Sequence, residues 1–240
     1  VNRLKVSIII PTRNRKHSLI VAVKSIAELN YPKEQYEVIV VDDGSTDGTD
    51  KLIQKFKHKL SATIHYYKQD NKGISAAKNI GINNSSGSIL VFTDDDCIFE
   101  RDWLQKLVKY FNSSRVGAVG GPDKVPLDAT FLAKCIDYSV TSFIGTGGVR
   151  QGKAARLARY YPRGCNMAVS KSIVDEVRGF DETLVAGEDI EFVYRIKKVG
   201  YLVQYAHDAF VWHQRRSSIL SFLKQIFLRG YTRTELARRH

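Results

Sequence analysis

Apolar residues occur along this chain in short blocks, and each block runs into a polar cluster. Lys5-Val-Ser-Ile-Ile-Ile10 ends in Pro11-Thr-Arg-Asn14, Glu37-Val-Ile-Val-Val41 in Asp42-Asp43-Gly44, and Ser88-Ile-Leu-Val-Phe-Thr93 in Asp94-Asp95-Asp96. Short β-branched blocks bounded by turn residues predict buried strands, here at 5–10, 37–41, 63–67, 88–93 and 116–120. Between them, helical spacing predicts helices at 16–29, 47–58, 74–84 and 100–112, the second capped by Thr46 or Asp47. This alternation predicts an α/β fold with a mainly parallel sheet and right-handed crossovers. Past Gly120-Gly121-Pro122 the alternation stops. Residues 122–163 read as irregular or helical, with a glycine-rich loop at 145–148. Then come a strand at 166–170, helices at 171–177 and 188–199, and two late strands at 202–206 and 209–212.

Strand ends are where the chemistry should lie, because ligands of open α/β sheets bind outside the carboxyl ends of the strands. Three adjacent carboxylates there repel one another, and a divalent cation such as Mn²⁺ or Mg²⁺ shared with substrate phosphates relieves that repulsion. A solvated acidic turn or a helix N-cap ahead of Trp103-Leu104 reads the same triplet without chemistry. The second acidic pair, Asp42-Asp43, favours the functional reading. Carboxylates can also accept from a base N–H or a ribose hydroxyl, so the predicted division is nucleoside at the first two strand ends and metal-diphosphate at the fourth.

The second half offers Gly187-Glu188-Asp189 at the start of the helix that carries Arg195. A carboxylate there can take a proton from an acceptor hydroxyl, or it can simply complement the helix dipole. His213 follows Phe210-Val-Trp212 at a strand end, a position that suits either a ligand or a packed side chain. Two other motifs point elsewhere. Residues 147–154 approach a phosphate-binding loop, but Ala154 replaces the hydroxyl such a loop needs. Asp94-x-Asp96 also suits a phosphatase nucleophile, yet the hydroxyl expected two residues on is Ile98.

Composition narrows the class. A chain of 240 residues with 43% hydrophobic content can bury a full core. Its three cysteines, Cys97, Cys135 and Cys165, are widely spaced and lack zinc-type pairs, which predicts reduced thiols and a cytoplasmic setting. No apolar run is long enough for a membrane span and no signal peptide is visible. The chain begins with Val1 and its one methionine is Met167, so it reads as an excerpt or a processed form, which leaves open a membrane segment beyond either end. Net charge is +12, and residues 215–240 hold seven Lys or Arg against one acid, Glu235. Ile219, Leu220, Phe222, Leu223, Ile226 and Phe227 recur there at helical spacing. A basic helix with an apolar face predicts peripheral contact with an anionic membrane surface, at its cytoplasmic side, or with a lipid-linked substrate. The alternative is a terminal helix packed on the body with a solvated basic rim. No nucleic-acid module accompanies the charge, and none is expected as a partner.

Pro11-Thr-Arg-Asn14, Val40-Val-Asp-Asp-Gly-Ser-Thr-Asp47, Lys72-Gly-Ile-Ser-Ala-Ala-Lys-Asn-Ile-Gly81, Phe92-Thr-Asp-Asp-Asp96 and Gly187-Glu-Asp189 occur in the order seen in family 2 glycosyltransferases. The sequence resembles that family from residue 4 to about 214. The resemblance implies a GT-A (Rossmann-like) fold, an inverting transferase, a nucleotide-sugar donor that is most often UDP-linked, and a divalent metal, Mn²⁺ or Mg²⁺. It implies donor contacts from Pro11, Thr12, Arg13, Asn14, Asp42, Asp43, Gly73, Lys78, Asp94 and Asp95, with Asp43 on the base. Metal ligands are expected at Asp96, Asp94 and His213, and the general base at Asp189 with Glu188 beside it. Lys78 stands where the family usually has Arg, and Cys97 where it often has an acid. The expected organisation is a donor-binding half (1–121), an acceptor-binding and catalytic half (122–214) and a basic amphipathic helix (215–240), the acceptor being a glycan or lipid-linked. A metal-dependent nucleotidyl or phosphoryl transferase and a non-catalytic nucleotide-sugar binder are the competing readings.

Overall fold

The computed structural model describes residues 4–57, 59–142, 160–215 and 218–239. Its first half alternates as the pattern predicts: β1 (Val6–Thr12), α1 (Lys16–Ala27), β2 (Tyr36–Asp42), α2 (Thr49–Lys57), β3 (Thr63–Lys68), α3 (Ile74–Asn83) and β4 (Ile89–Thr93). Then follow β5 (Cys97–Phe99), α4 (Trp103–Val108), β6 (Val116–Gly120), β7 (Asp123–Lys124) and α5 (Phe131–Thr141). The second half holds β8 (Asn166–Ser170), α6 (Lys171–Glu176), α7 (Glu188–Lys198), β9 (Leu202–Tyr205), β10 (Val211–His213) and α8 (Ile219–Arg239). The glycine-rich loop at 145–148 and the loop-like motif at 147–154 lie outside the described residues.

Seven strands form one sheet in the order β3-β2-β1-β4-β8-β6-β9. All neighbours are parallel except β8, which runs antiparallel to both β4 and β6. β1, β2 and β4 are buried along their whole length, as expected of strands covered on both faces. Alternation along β1 sends Ile8 and Ile10 to one core with Leu19, Val23, Ile53 and Trp103, and Ile9 to the other with Ala77, Phe92 and Phe192. On that second face Phe92, Phe180 and Phe192 form an aromatic cluster, with Phe180 stacked on Phe192 at 4.3 Å. Truncating such a ring to alanine costs about 3–5 kcal/mol. Gly81 lets α3 lie close on the sheet, since a Cβ there would come within 2.4 Å of Ile9 Cγ2.

The sheet order reverses between β1 and β4, and that switch point is where an α/β crevice opens. A smaller sheet, β5-β10-β7, stands beside it, and the sequence pattern does not reveal it. Its strands of two and three residues are too short to show a period. The consequence is a correction at 100–112: the chain after the aspartates first forms β5, and the helix is confined to Trp103–Val108. In the small sheet His213 is paired with Cys97, and Val211 with Asp123. A residue more than a hundred positions downstream therefore arrives next to the aspartates.

Candidate active site

The site is assembled from neighbouring strand ends. Thr12 lies beside Asp42 in the β1–β2 register, and its hydroxyl donates to Asp95 Oδ2 at 2.7 Å. Asp96 follows at the floor of a cavity of about 360 Å³ whose wall also includes Pro11, Thr12, Arg13, Asp43, Lys78, Asp94, Asp95, Glu188, Asp189 and His213. Eleven of the fourteen residues expected at the site thus share one cavity. Asn14, Asp42 and Gly73 do not line it; they hydrogen-bond within the turns that carry lining residues. Asn14, at φ 53°, accepts from the Thr46 amide at 2.8 Å and its own amide donates to Ser45 Oγ. Asp42 is fully buried and accepts from the Ser45 amide and the Tyr66 hydroxyl. Asp43 accepts from Gln69 Nε2 and the amides of Lys72 and Gly73, which fixes the loop before α3. Arg13 donates to Asn71 Oδ1.

His213 Nε2 lies 3.1 Å from Asp96 Oδ1 and 3.8 Å from Asp94 Oδ2, while Nδ1 lies 3.5 Å from Asp123 Oδ2. Burial drives the Asp94 carboxyl up to about 8 and Asp95 up to about 6. Burial pushes Asp96 the same way, but His213 and then Arg15 outweigh it and hold Asp96 down at about 2. Burial would lower His213, yet Cys165, Asp123 and Asp96 together raise it well above the usual imidazole value. Adjacent carboxyls pushed in opposite directions are typical of functional sites.

The donor set suits a divalent cation. Asp96 Oδ1 is buried and makes no hydrogen bond, although the imidazole stands 3.1 Å away. The spacing of these two atoms suits ligands of one ion, and His213 Nε2 would become one on releasing its proton. The ligand atoms of Asp96, Cys97 and His213 lie within 4.8 Å of one another, as do those of Asp123, Cys165 and His213. Of the first set only the carboxylate and the imidazole line the cavity, and such oxygen and nitrogen donors fit Mn²⁺ or Mg²⁺.

Across the cavity α7 begins at Gly187, φ 74°, where a Cβ would come within 2.4 Å of Thr232 Cγ2 on α8. Glu188 accepts from Lys78 Nζ at 2.8 Å, and the Lys78 side chain is 1% exposed. Burial opposes its charge, but Glu188, Asp94 and Asp189 keep it protonated. Lys78 therefore bonds α3 to the start of the helix that carries Asp189. Asp189 accepts from the Gly164 amide at 3.1 Å and from the Ile190 amide at 2.8 Å. Such a carboxylate keeps lone pairs for a hydroxyl in the cavity.

Several side chains that line the cavity escaped the sequence reading. Arg15 Nη1 reaches Asp96 Oδ2 at 2.5 Å and Asp95 Oδ1 at 3.3 Å; it stands one residue past the polar run. Arg215 is 6% exposed and binds Asp123 Oδ2 and Asp137 Oδ1, each at 2.5 Å. Its position two past His213, on the same side of an extended segment, was the available signal. Asp123 and Cys165 carried none, because only the small sheet and the turn before β8 bring them to His213. Two of the three cysteines, distant in sequence, meet in the fold: Cys97 Sγ lies 3.9 Å from the Cys165 carbonyl, and both are buried.

The family model for glycosyl transferase family 2 matches residues 7–178. Glycosyltransferase AglE of Haloferax volcanii is 31% identical over 211 residues, which is 88% of this chain and 67% of that protein. Among solved structures, the mannosyltransferase PcManGT from Pyrobaculum calidifontis, in complex with GDP-Man and Mn²⁺, superposes with a TM-score of 0.77 at 22% identity. That match covers 91% of this chain and 59% of the other. S. aureus TarS 1-349 in complex with UDP-GlcNAc gives 0.67 at 18% identity, covering 90% and 60%. At these identities the solved structures speak to the fold, which is the α/β architecture expected from the sequence. The chain thus spans about three fifths of the solved chains it matches.

Proposed function

The chain belongs to glycosyl transferase family 2, and on that premise we propose that it moves a sugar from a nucleoside-diphosphate donor to an acceptor hydroxyl with inversion. The observation that carries this reading is one cavity lined both by the acidic strand end with His213 and by Asp189 at the start of α7. A nucleotide-sugar between them would present its diphosphate to the first and its anomeric carbon toward the second. PcManGT was solved with GDP-Man and TarS with UDP-GlcNAc; for this chain we propose a UDP-sugar, with Asp43, Thr12, Arg13 and Pro11 at the nucleoside.

Asp189 takes the proton from the acceptor hydroxyl as that oxygen attacks the anomeric carbon, and the carbon–oxygen bond to the diphosphate breaks on the opposite face. General-base catalysis of this kind contributes about 10²–10⁴-fold. Two backbone amides, of Gly164 and Ile190, aim the carboxylate, and the Lys78–Glu188 pair anchors the turn it stands on. Asp96 and His213, with Asp94 beside them, would hold the cation, which when bound neutralises charge on the departing diphosphate. An imidazole ligand favours Mn²⁺ over Mg²⁺. Arg15, which binds Asp95 and Asp96, supplies a second positive charge at that end. The three proposed parts, 1–121 for donor, 122–214 for acceptor and catalysis, and 215–240 as the basic helix, all reach this cavity; α8 contributes Gln225 and Arg229.

No helix among the described residues is long and apolar enough to cross a membrane. α8 nevertheless leaves Ile219, Leu220, Leu223, Phe227 and Tyr231 more than half exposed. We propose that this face rests on an anionic membrane surface at its cytoplasmic side, each nearby basic residue adding about 1 kcal/mol.

The test is a panel of nucleotide-sugars with Mn²⁺. The expected result is donor-selective release of nucleoside diphosphate that depends on metal. Release of pyrophosphate, or formation of a phosphoenzyme, would favour a nucleotidyl or phosphoryl transferase. Metal-dependent binding without turnover in any acceptor mixture would leave a binding domain.

A further inference from the structure

Behind Asp189 lies a second cavity, of about 420 Å³, between the start of α7 and the inner face of α8. It shares Arg163, Glu188, Asp189, Gln225 and Arg229 with the first cavity, so Asp189 stands at the junction of the two. Four basic residues line it: Arg163, Lys224, Arg229 and Arg233. Its acids are Glu188, which Lys78 already neutralises, and Asp189 itself. Leu228 and Leu236 add an apolar wall.

The charges around this cavity differ from the other basic residues of the C-terminal region. Arg215 is bound by Asp123 and Asp137, and Arg239 by Asp181 and Glu235. Among the described residues, no carboxylate pairs with Arg163, Lys224 or Arg233. Against these three, the one carboxylate of the hollow that Lys78 does not neutralise is Asp189, so positive charge is in excess there and an anion between the basic side chains removes their repulsion. A phosphate suits the arrangement better than a single carboxylate. It presents three acceptor oxygens and nearly two charges, and guanidinium forks bind it through paired hydrogen bonds.

We infer that this second cavity holds the acceptor, and that the acceptor carries a phosphate group gripped by Arg163, Lys224, Arg229 and Arg233. This rests on the glycosyl-transfer reading of the first cavity and names the class of its second substrate. The phosphate is a handle and no bond to it changes. It fixes the acceptor with its hydroxyl at Asp189, which takes that proton. Both a lipid phosphate and a water-soluble phosphate ester present this group, and the apolar wall would distinguish them.

The test uses the full chain and three probes: farnesyl phosphate, farnesol and glycerol 3-phosphate. Acetylation of Lys224 by a lysine-selective reagent is followed by mass spectrometry, with Lys55 and Lys72 as exposed references. Farnesyl phosphate should slow labelling of Lys224 and leave the references unaffected, and farnesol should not. Equal protection by glycerol 3-phosphate marks a soluble phosphate ester as sufficient, and protection by farnesyl phosphate alone marks a lipid-linked one. In Lys224→Gln/Arg233→Gln, affinity for farnesyl phosphate should fall about tenfold or more, the scale of one lost charge-assisted hydrogen bond. Lys224 unprotected by either phosphate, protection by farnesol equal to that by farnesyl phosphate, or unchanged affinity in the double variant would overturn the proposal. Mn²⁺-dependent binding of UDP or GDP is measured in parallel. Nucleotide bound with Lys224 unprotected discards only the phosphate acceptor; Lys224 protected with no nucleotide bound discards the donor reading.

Discussion

Two acidic clusters sit at opposite ends of the parallel strands, one at the amino end of β2 and one at the carboxyl end of β4, and they behave oppositely. At the amino end of β2, Glu37 accepts from the Ser7 hydroxyl, the Ser86 hydroxyl and the Ser86 amide, with His65 3.2 Å away. Burial alone would raise its carboxyl, but those hydrogen bonds and His65 bring it below the ordinary glutamate value. At the carboxyl end of β4, Asp94 is pushed up to about 8 by burial, with Cys165 and Asp96 adding to the rise against His213 and Lys78. The first cluster is complete within the fold. The second leaves Asp96 Oδ1 buried without a hydrogen bond, and the proposed cation would complete it.

The largest effect that separates the two ends is on turnover. Asp189→Asn should lower transfer by about 10²–10⁴-fold, with nucleotide binding and melting temperature close to those of the parent. Nucleotide binding lost in step with activity would instead make Asp189 part of the structural frame. At the other end, Glu37→Gln should leave the kinetics alone and cost about 2 kcal/mol in denaturant unfolding, the scale of hydrogen bonds to a charged group.

The comparison also has a pH signature. Glu37 titrates lower folded than unfolded, so its contribution is fully present above the unfolded value of about 4.3 and is lost as pH falls through the folded value. Melting curves from pH 6 to 3 should therefore show part of the acid sensitivity disappearing in Glu37→Gln; identical slopes would remove Glu37 from the account. Asp94 has the opposite sign. The folded protein without metal holds that proton while the unfolded chain loses it above about 3.9, so stability declines as pH rises toward 8. The smallest effect follows from it: Asp94→Asn should raise the metal-free melting temperature at pH 8 by about 2–4 °C, roughly 1 kcal/mol in a domain of this size. A fall would place Asp94 among the structural acids.

Legibility in the sequence divided along the same line. The parallel strands could be read because burial on both faces leaves unbroken β-branched runs, as in Glu37-Val-Ile-Val-Val41, and the acids at their ends follow from chain direction. Asp189 could be read because Gly187 marks the start of a helix. The partners of these acids could not. Asp123 and Arg215 reach the site through the small sheet, whose strands of two and three residues leave no periodic trace, and Arg15 reaches Asp95 and Asp96 only because β1 and β4 are neighbours. The second cavity was equally hidden, since α8 displays a basic amphipathic pattern but the pattern does not say which face turns inward. In the fold, Leu220, Leu223 and Phe227 face out, while Lys224 and Arg233 line the hollow.

The central claim is that Asp96 and His213 form a cation site that the donor diphosphate completes. Titration calorimetry of UDP and GDP, with and without Mn²⁺, in the parent chain and in Asp96→Asn tests it without knowledge of the acceptor. The expected result is Mn²⁺-dependent nucleotide binding in the parent and at least about tenfold weaker binding in the variant, with no loss of melting temperature. Equal affinity with and without Mn²⁺, or unchanged Mn²⁺ dependence in Asp96→Asn, would contradict it.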